Sequence, residues 1–232
     1  MTHDGRREGI LAIDTATTRV VIATGAPDGT PDGVSTWVAG YRHGETLLPS
    51  IGRFLGEQNL RRSRLRAVVV GTGPGAFTGL RVGIATAKGL AHGLRIPLVG
   101  VSTGEALIAA AAARHGLAEE AVVLMLPAGP SDRVVIRAGV APELLRGGDE
   151  PVLAAGQTLV AVDLVDRAPA EAVELGEAAR EGLGAALLSA GTSRLRELAG
   201  ETELATLVPE YVTLPRGATP SAGTVAWSRD LR

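Results

Sequence analysis

The chain has 232 residues, 45% hydrophobic and 21% charged, with a formal net charge of −2 and no cysteine. That length buries one large core or two small ones, and the near-neutral balance gives no global attraction to nucleic acid or an anionic membrane. The missing cysteines exclude disulfides, thiolate zinc sites and cysteine nucleophiles, and 3% aromatics supply too few rings for a dedicated single-strand RNA binder.

Gly9 to Ile13 and Arg19 to Thr24 read as two strands joined by the tight polar turn Asp14-Thr15-Ala16-Thr17-Thr18. A third strand is predicted at Val34 to Tyr41, after the turn-rich Pro27 to Gly33. Leu47, Leu48, Ile51, Phe54 and Leu55 recur at helical spacing within Glu45 to Gln58. Arg66 to Gly71 is a buried-type strand, Leu80 to Leu94 a helix and Ile96 to Val101 a strand, so the first hundred residues read β-β-β-α-β-α-β. Ser102-Thr103 can cap a helix running to Arg114. The same order is then predicted again: strands at Ala121 to Leu126, Arg133 to Val140 and Thr158 to Leu164, a helix at Ala170 to Glu181, a strand at Ala185 to Ser189, a helix near Arg194 to Leu198 and a strand at Leu204 to Val208. This points to an internal structural duplication, with a single decorated α/β domain as the alternative. Gly217 to Arg232 reads as a loosely held tail.

The segment Val70-Gly71-Thr72-Gly73-Pro74-Gly75-Ala76-Phe77-Thr78-Gly79-Leu80-Arg81-Val82-Gly83 follows a strand and invites a phosphate-binding reading. No register places Gly-Lys-Ser/Thr five residues after a leading glycine, as a nucleotide P-loop requires. The loose dinucleotide pattern lacks its ribose-binding acid, because the next carboxylate is Glu105. A serine nucleophile elbow is absent. His3, His43, His92 and His115 show no His-x-x-x-His pair, so a catalytic metal is not expected. Thr78 is the expected cap of the following helix.

Packing suits the segment better. At about 100° per residue, Leu80, Ile84, Ala87, Ala91 and Leu94 form one apolar face, while Val82, Ala85, Thr86, Gly89 and Gly93 form a second face of small residues. Arg81, Lys88 and His92 make a narrow basic stripe between them. Gly52 and Gly56 sit beside the apolar stripe of the preceding helix. Glycine inside a helix costs roughly 0.5–1 kcal/mol relative to alanine, so its repetition in two helices points to a close contact, either between the two helices or with another molecule.

These residues resemble the TsaB (YeaZ) family of bacterial tRNA threonylcarbamoyladenosine biosynthesis proteins. The resemblance is carried by Ile10-Leu11-Ala12-Ile13-Asp14-Thr15-Ala16-Thr17, His43-Gly44-Glu45-Thr46-Leu47-Leu48-Pro49, Gly73 to Gly83 with Ala87-Lys88-Gly89-Leu90, and Ile96 to Ser102. Pro209-Glu210-Tyr211-Val212 is similar to the family's late Pro-x-Tyr segment. Where the family usually carries an Asp-Ala-Arg stretch, this chain has Pro127-Ala128-Gly129-Pro130-Ser131-Asp132-Arg133.

The resemblance implies an α/β protein with a duplicated ribonuclease-H-like fold of the actin, sugar kinase and Hsp70 type, in two lobes at residues 1–102 and 103–232, each a mixed sheet with helices. Asp14 to Thr18 would take the place of the first phosphate hairpin and Pro127 to Asp132 that of the second, without its usual Asp-x-Gly pattern. At most weak nucleotide binding is expected, and no cofactor. The implied role is a noncatalytic, cytoplasmic scaffold for the catalytic TsaD subunit, which modifies adenosine 37 of tRNA, with the ATPase TsaE joining and tRNA reached only through the complex. The same surface would pair two copies when TsaD is absent. The expected contact is a helical bundle using Leu48, Ile51, Gly52, Leu55, Gly56, Val82, Thr86, Gly89 and Gly93. The competing expectation is an independent ATPase or phosphotransferase using Asp14 and Thr15.

Overall fold

A computed structural model describes residues 7–38, 43–199 and 202–212. Its first sheet contains β1 (Gly9–Asp14), β2 (Arg19–Gly25), β3 (Pro31–Val38), β4 (Leu65–Gly71) and β5 (Leu98–Val101), in the order β3-β2-β1-β4-β5. β1, β2 and β3 pair antiparallel in succession, whereas β4 runs parallel to both β1 and β5. Parallel neighbours require a long crossover. Helix α1 (His43–Glu57) leads through a short 3-10 turn at Arg62–Arg64 into β4, and α2 (Phe77–Leu94) joins β4 to β5.

After helix α3 (Thr103–His115) the chain builds a second sheet from β6 (Val122–Pro127), β7 (Arg133–Arg137), β8 (Val140–Leu145) and β9 (Thr158–Ala161), in the order β8-β7-β6-β9. β6 pairs antiparallel with β7 and parallel with β9, so the first four strand positions of the first sheet are repeated. The long helix α4 (Ala170–Glu197) follows.

The two sheets share a helical layer. Ile10, Ala12, Ala23, Ala67 and Val69 face Leu183 and Leu187 of α4, and the same core holds Leu107 and Ile108 of α3 with Leu124, Ile136 and Val160 of the second sheet. The alternate residues Leu11, Ile13, Ile22, Val68 and Val70 point the other way, onto Leu47, Ile51 and Phe54 of α1 and Ile84, Ala87 and Ala91 of α2. Being covered on both faces makes β1 and β4 almost continuously apolar rather than alternating.

The second half departs from expectation in three places. Arg133 to Val140 is not one strand: Gly139, at φ 68°, turns the chain within a two-residue loop so that Arg137 pairs with Val140. Thr158–Ala161 is therefore the fourth strand of its sheet, not the third, and no helix lies between β8 and β9. Ala185 to Ser189 is not a strand but the middle of α4, and Leu204 to Val208 forms no strand. An Ala/Leu run fits helix or strand periodicity equally, and the glycines of α4 read locally as breaks. They are close-approach points: a Cβ at Gly176 would overlap the Ala161 carbonyl, and one at Gly184 would lie 3.1 Å from the Ala23 Cβ. In the first half, the third strand starts earlier than predicted, at Pro31, and its expected end at residues 39–41 lies outside the described residues. The tail at 217–232 also lies outside them.

Beyond α4, residues 202–212 run back along the first sheet. The Glu203 amide donates to the Leu98 carbonyl (2.9 Å) and the Gly100 amide to Glu203 Oε2 (2.7 Å), which covers the open edge of β5. The Glu210 amide then donates to the Thr72 carbonyl (2.8 Å), delivering Tyr211 and Val212 to the space between the sheets.

Candidate functional site

The glycine-rich segment presses against the β1–β2 turn. Gly71, Gly75, Gly79 and Gly83 recur every four residues, and a Cβ on each would overlap Asp14 Oδ2, the Ala16 carbonyl, the Thr15 carbonyl and Thr15 Oγ1 in turn. The Thr15 hydroxyl donates to the Gly79 carbonyl (2.7 Å) and the Ala76 amide to the Ala16 carbonyl (2.7 Å). The start of α2 is thus held by the turn. Thr78 does not cap the helix, which begins earlier, at Phe77; the cap position is Ala76, which makes no side-chain capping bond.

Asp14 is 0% exposed and Thr15 1%. Asp14 Oδ2 accepts from the Thr103 hydroxyl (2.6 Å) and Oδ1 from the Ala16 amide (2.9 Å). Burial pushes its carboxyl up to about 6, against the opposing pull of those two donors. Thr103 Oγ1 also accepts from the Gly73 amide (3.1 Å). These groups satisfy one another, and the backbone of Gly71 and Gly75 lies directly against Asp14 and Ala16.

A cleft of about 400 Å³ remains between the sheets, lined by Thr17, Thr18, Pro127, Ala128, Gly129 and Asp163. Asp163 Oδ2 accepts from the Thr18 amide (2.7 Å), and its Oδ1 meets the Arg180 guanidinium at 2.6 Å. Both charged side chains are nearly buried, at 6% and 7% exposure. The turn between β6 and β7 is braced by Arg167, which donates to the Asp132 carbonyl (2.8 Å) and the Gly129 carbonyl (3.3 Å). It offers the cleft Pro127, Ala128 and Gly129, none of which carries a group for phosphate or metal. Tyr211 enters from the strap, its ring 5.0 Å from that of Phe77 and its hydroxyl accepting from Arg81 Nε at 3.3 Å. Arg81 in turn covers the Phe77 ring at 4.0 Å. Among the described residues no group of His, Asp and Glu has metal-site geometry. No local sequence signal reveals the Asp163–Thr18 bond, which spans 145 positions.

The second candidate region is the outer face of α1 and α2. Of the nine residues expected there, Ile51 and Leu55 are core, at 1% and 2% exposure, because α1 turns them onto the first sheet. Leu48 is 53% exposed, Gly56, Gly89 and Gly93 are exposed, and Gly52, Val82 and Thr86 are half-buried. Among the described residues, a Cβ at Gly56, Gly89 or Gly93 would meet nothing within 4 Å. These three glycines do not serve packing between the two helices. Arg53 and Lys88 flank the face, and the Arg62 guanidinium lies over Gly52, 3.0 Å from where its Cβ would stand.

Two sheets of repeated strand order around a shared pair of helices define a duplicated ribonuclease-H-like α/β protein. The family model for TsaD, tRNA N6-adenosine threonylcarbamoyltransferase, matches residues 26–185. YeaZ from Pseudomonas aeruginosa superposes with a TM-score of 0.67 at 26% identity, covering 88% of this chain and 100% of that one. The tRNA threonylcarbamoyladenosine biosynthesis protein TsaB of Escherichia coli is 39% identical over 94 residues, 40% of each chain. The Bacillus subtilis protein of the same name is 36% identical over 106 residues, 46% of this chain and 45% of its own. The chain belongs to this threonylcarbamoyltransferase-related family, in its TsaB (YeaZ) branch. The matched stretch spans less than half the length of the curated relatives.

Proposed function

We propose that this protein is a noncatalytic scaffold of the machinery that makes N6-threonylcarbamoyladenosine at position 37 of tRNA, and that it docks the catalytic TsaD subunit through the outer face of α1 and α2. The observation that carries this reading is the open space over Gly56, Gly89 and Gly93. Three helical glycines cost roughly 0.5–1 kcal/mol each and meet no neighbour among the described residues, whereas a partner helix laid on that face would approach the backbone closely. In this reading residues 1–102 form the docking lobe, TsaE joins the assembly, tRNA is reached through the complex in the cytoplasm, and two copies pair through the same face when TsaD is absent.

An independent phosphotransferase would use Asp14 and Thr15, and their complete burial beneath Gly71, Gly79 and Gly83 weighs against it. The test is Gly89→Trp. The variant should keep the circular dichroism spectrum and melting temperature of the parent while losing co-purification with TsaD and the ability to support tRNA modification in a reconstituted reaction. A complex that survives the substitution would refute the assigned face.

A further inference from the structure

Among the described side chains, charge on and around α1 and α2 is mostly positive. Between Glu57 and Glu105 the sequence holds no Asp or Glu, yet it carries Arg61, Arg62, Arg64, Arg66, Arg81, Lys88 and Arg95 in a chain whose net charge is −2. Arg64 and Arg66 share the single carboxylate of Glu8. Among the described residues, Arg61, Arg62, Lys88 and Arg95, together with Arg53 on α1, make no ion pair, and Arg81 engages the Phe77 ring and the Tyr211 hydroxyl. Arg133, Arg137, Arg180 and Arg194, in the second half, are each matched to a carboxylate. Glu57 is the one carboxylate among the described side chains of α1 and α2.

Resting on the docking reading above, we infer that the partner surface which covers α1 and α2 is acidic, and that this charge makes the face prefer such a partner over a second copy of the chain. In two-fold self-pairing the same patch meets itself, so Arg53, Arg62 and Lys88 of one copy stand near those of the other. Screening acts over about 8 Å at physiological salt, so charges brought closer than that repel. An acidic partner turns the same cations into attraction that speeds encounter and rejects wrong partners. The glycine floor between the cations, with exposed Leu48 beside it, suits side chains from a facing helix.

The experiment measures binding of the full chain to purified TsaD, to itself and to unmodified tRNA by analytical ultracentrifugation and calorimetry at 50 and 500 mM salt, for the parent, Arg53→Glu/Lys88→Glu and Gly89→Trp. TsaD affinity of the parent should fall at least about tenfold with salt, and the charge-reversed variant should bind TsaD at least about tenfold more weakly at low salt. Self-association of the parent should strengthen with salt, and the reversed variant, whose face then carries both signs, should self-associate more tightly than the parent at low salt. TsaD affinity unmoved by salt and by charge reversal, while Gly89→Trp still abolishes the complex, overturns the inference and leaves the docking face standing. If Gly89→Trp binds TsaD normally, the docking reading fails and the inference with it. If the reversal removes tRNA binding by the chain alone but spares TsaD, the cations serve RNA and the inference is overturned.

Discussion

Two glycines on one helix, ten positions apart, should respond to alanine in opposite directions. At Gly79 the added methyl group would overlap the Thr15 carbonyl, a backbone atom fixed between β1 and β2, and sit 3.3 Å from the Thr15 carbonyl carbon. Overpacking of this kind costs about 1–3 kcal/mol or more, offset by about 1 kcal/mol of helix propensity. Because the overlapped atom is backbone and cannot swing aside, the cost falls at the upper end, and a net loss of about 2 kcal/mol is expected, which lowers the melting temperature by about 4–8 °C in a chain of this size. At Gly89 no described residue lies within 4 Å of the added atom. Alanine there should stabilise by about 0.5–1 kcal/mol, raising the melting temperature by about 1–4 °C, and should weaken the TsaD complex. Urea titration followed by far-ultraviolet circular dichroism on the parent and both variants measures the pair. Gly79→Ala as stable as the parent, or Gly89→Ala destabilised, would refute the argument that the first glycine serves the fold and the second a partner.

Two further outcomes follow from the buried charges. The Asp14 carboxyl, raised from 3.8 to about 6 in the fold, binds its proton more tightly folded than unfolded. Its contribution to stability is therefore fullest below pH 3.8 and is lost as the pH rises through about 6, by about 3 kcal/mol in all. Measured against Asp14→Asn at each pH, the parent should lose stability between pH 4 and 7; a flat or rising difference contradicts the assignment. Asp163→Ala leaves Arg180 buried without its closest carboxylate and should cost about 3–5 kcal/mol, whereas adding Arg180→Met should recover much of it. Additive losses in that double-mutant cycle would show that the pair does not act as a unit.

The first hundred residues were largely legible because their signals are local. β1 and β4 are buried on both faces and read as apolar runs, and α2 shows its sheet-facing row of Leu80, Ile84, Ala87 and Ala91 directly in the helical period. The second half was less so. The turn at Ala138-Gly139 is marked by one glycine with no Asn, Asp or Pro beside it in the loop, and α4 contains several glycines that mark close approach rather than termination. Identical local chemistry stood for opposite outcomes there.

The glycines of residues 71–93 show where the division falls. Their number and their four-residue spacing belong to the sequence, as does the absence of a lysine, nucleophile or acid that would make the segment a phosphate or catalytic loop. What each glycine faces depends on chain segments far away: Gly71, Gly75, Gly79 and Gly83 close over Asp14, Thr15 and Ala16, while Gly89 and Gly93 look outward. A missing side chain records that something must come close; only the folded arrangement of β1, β2 and α2 says whether that neighbour is the protein's own backbone or another molecule.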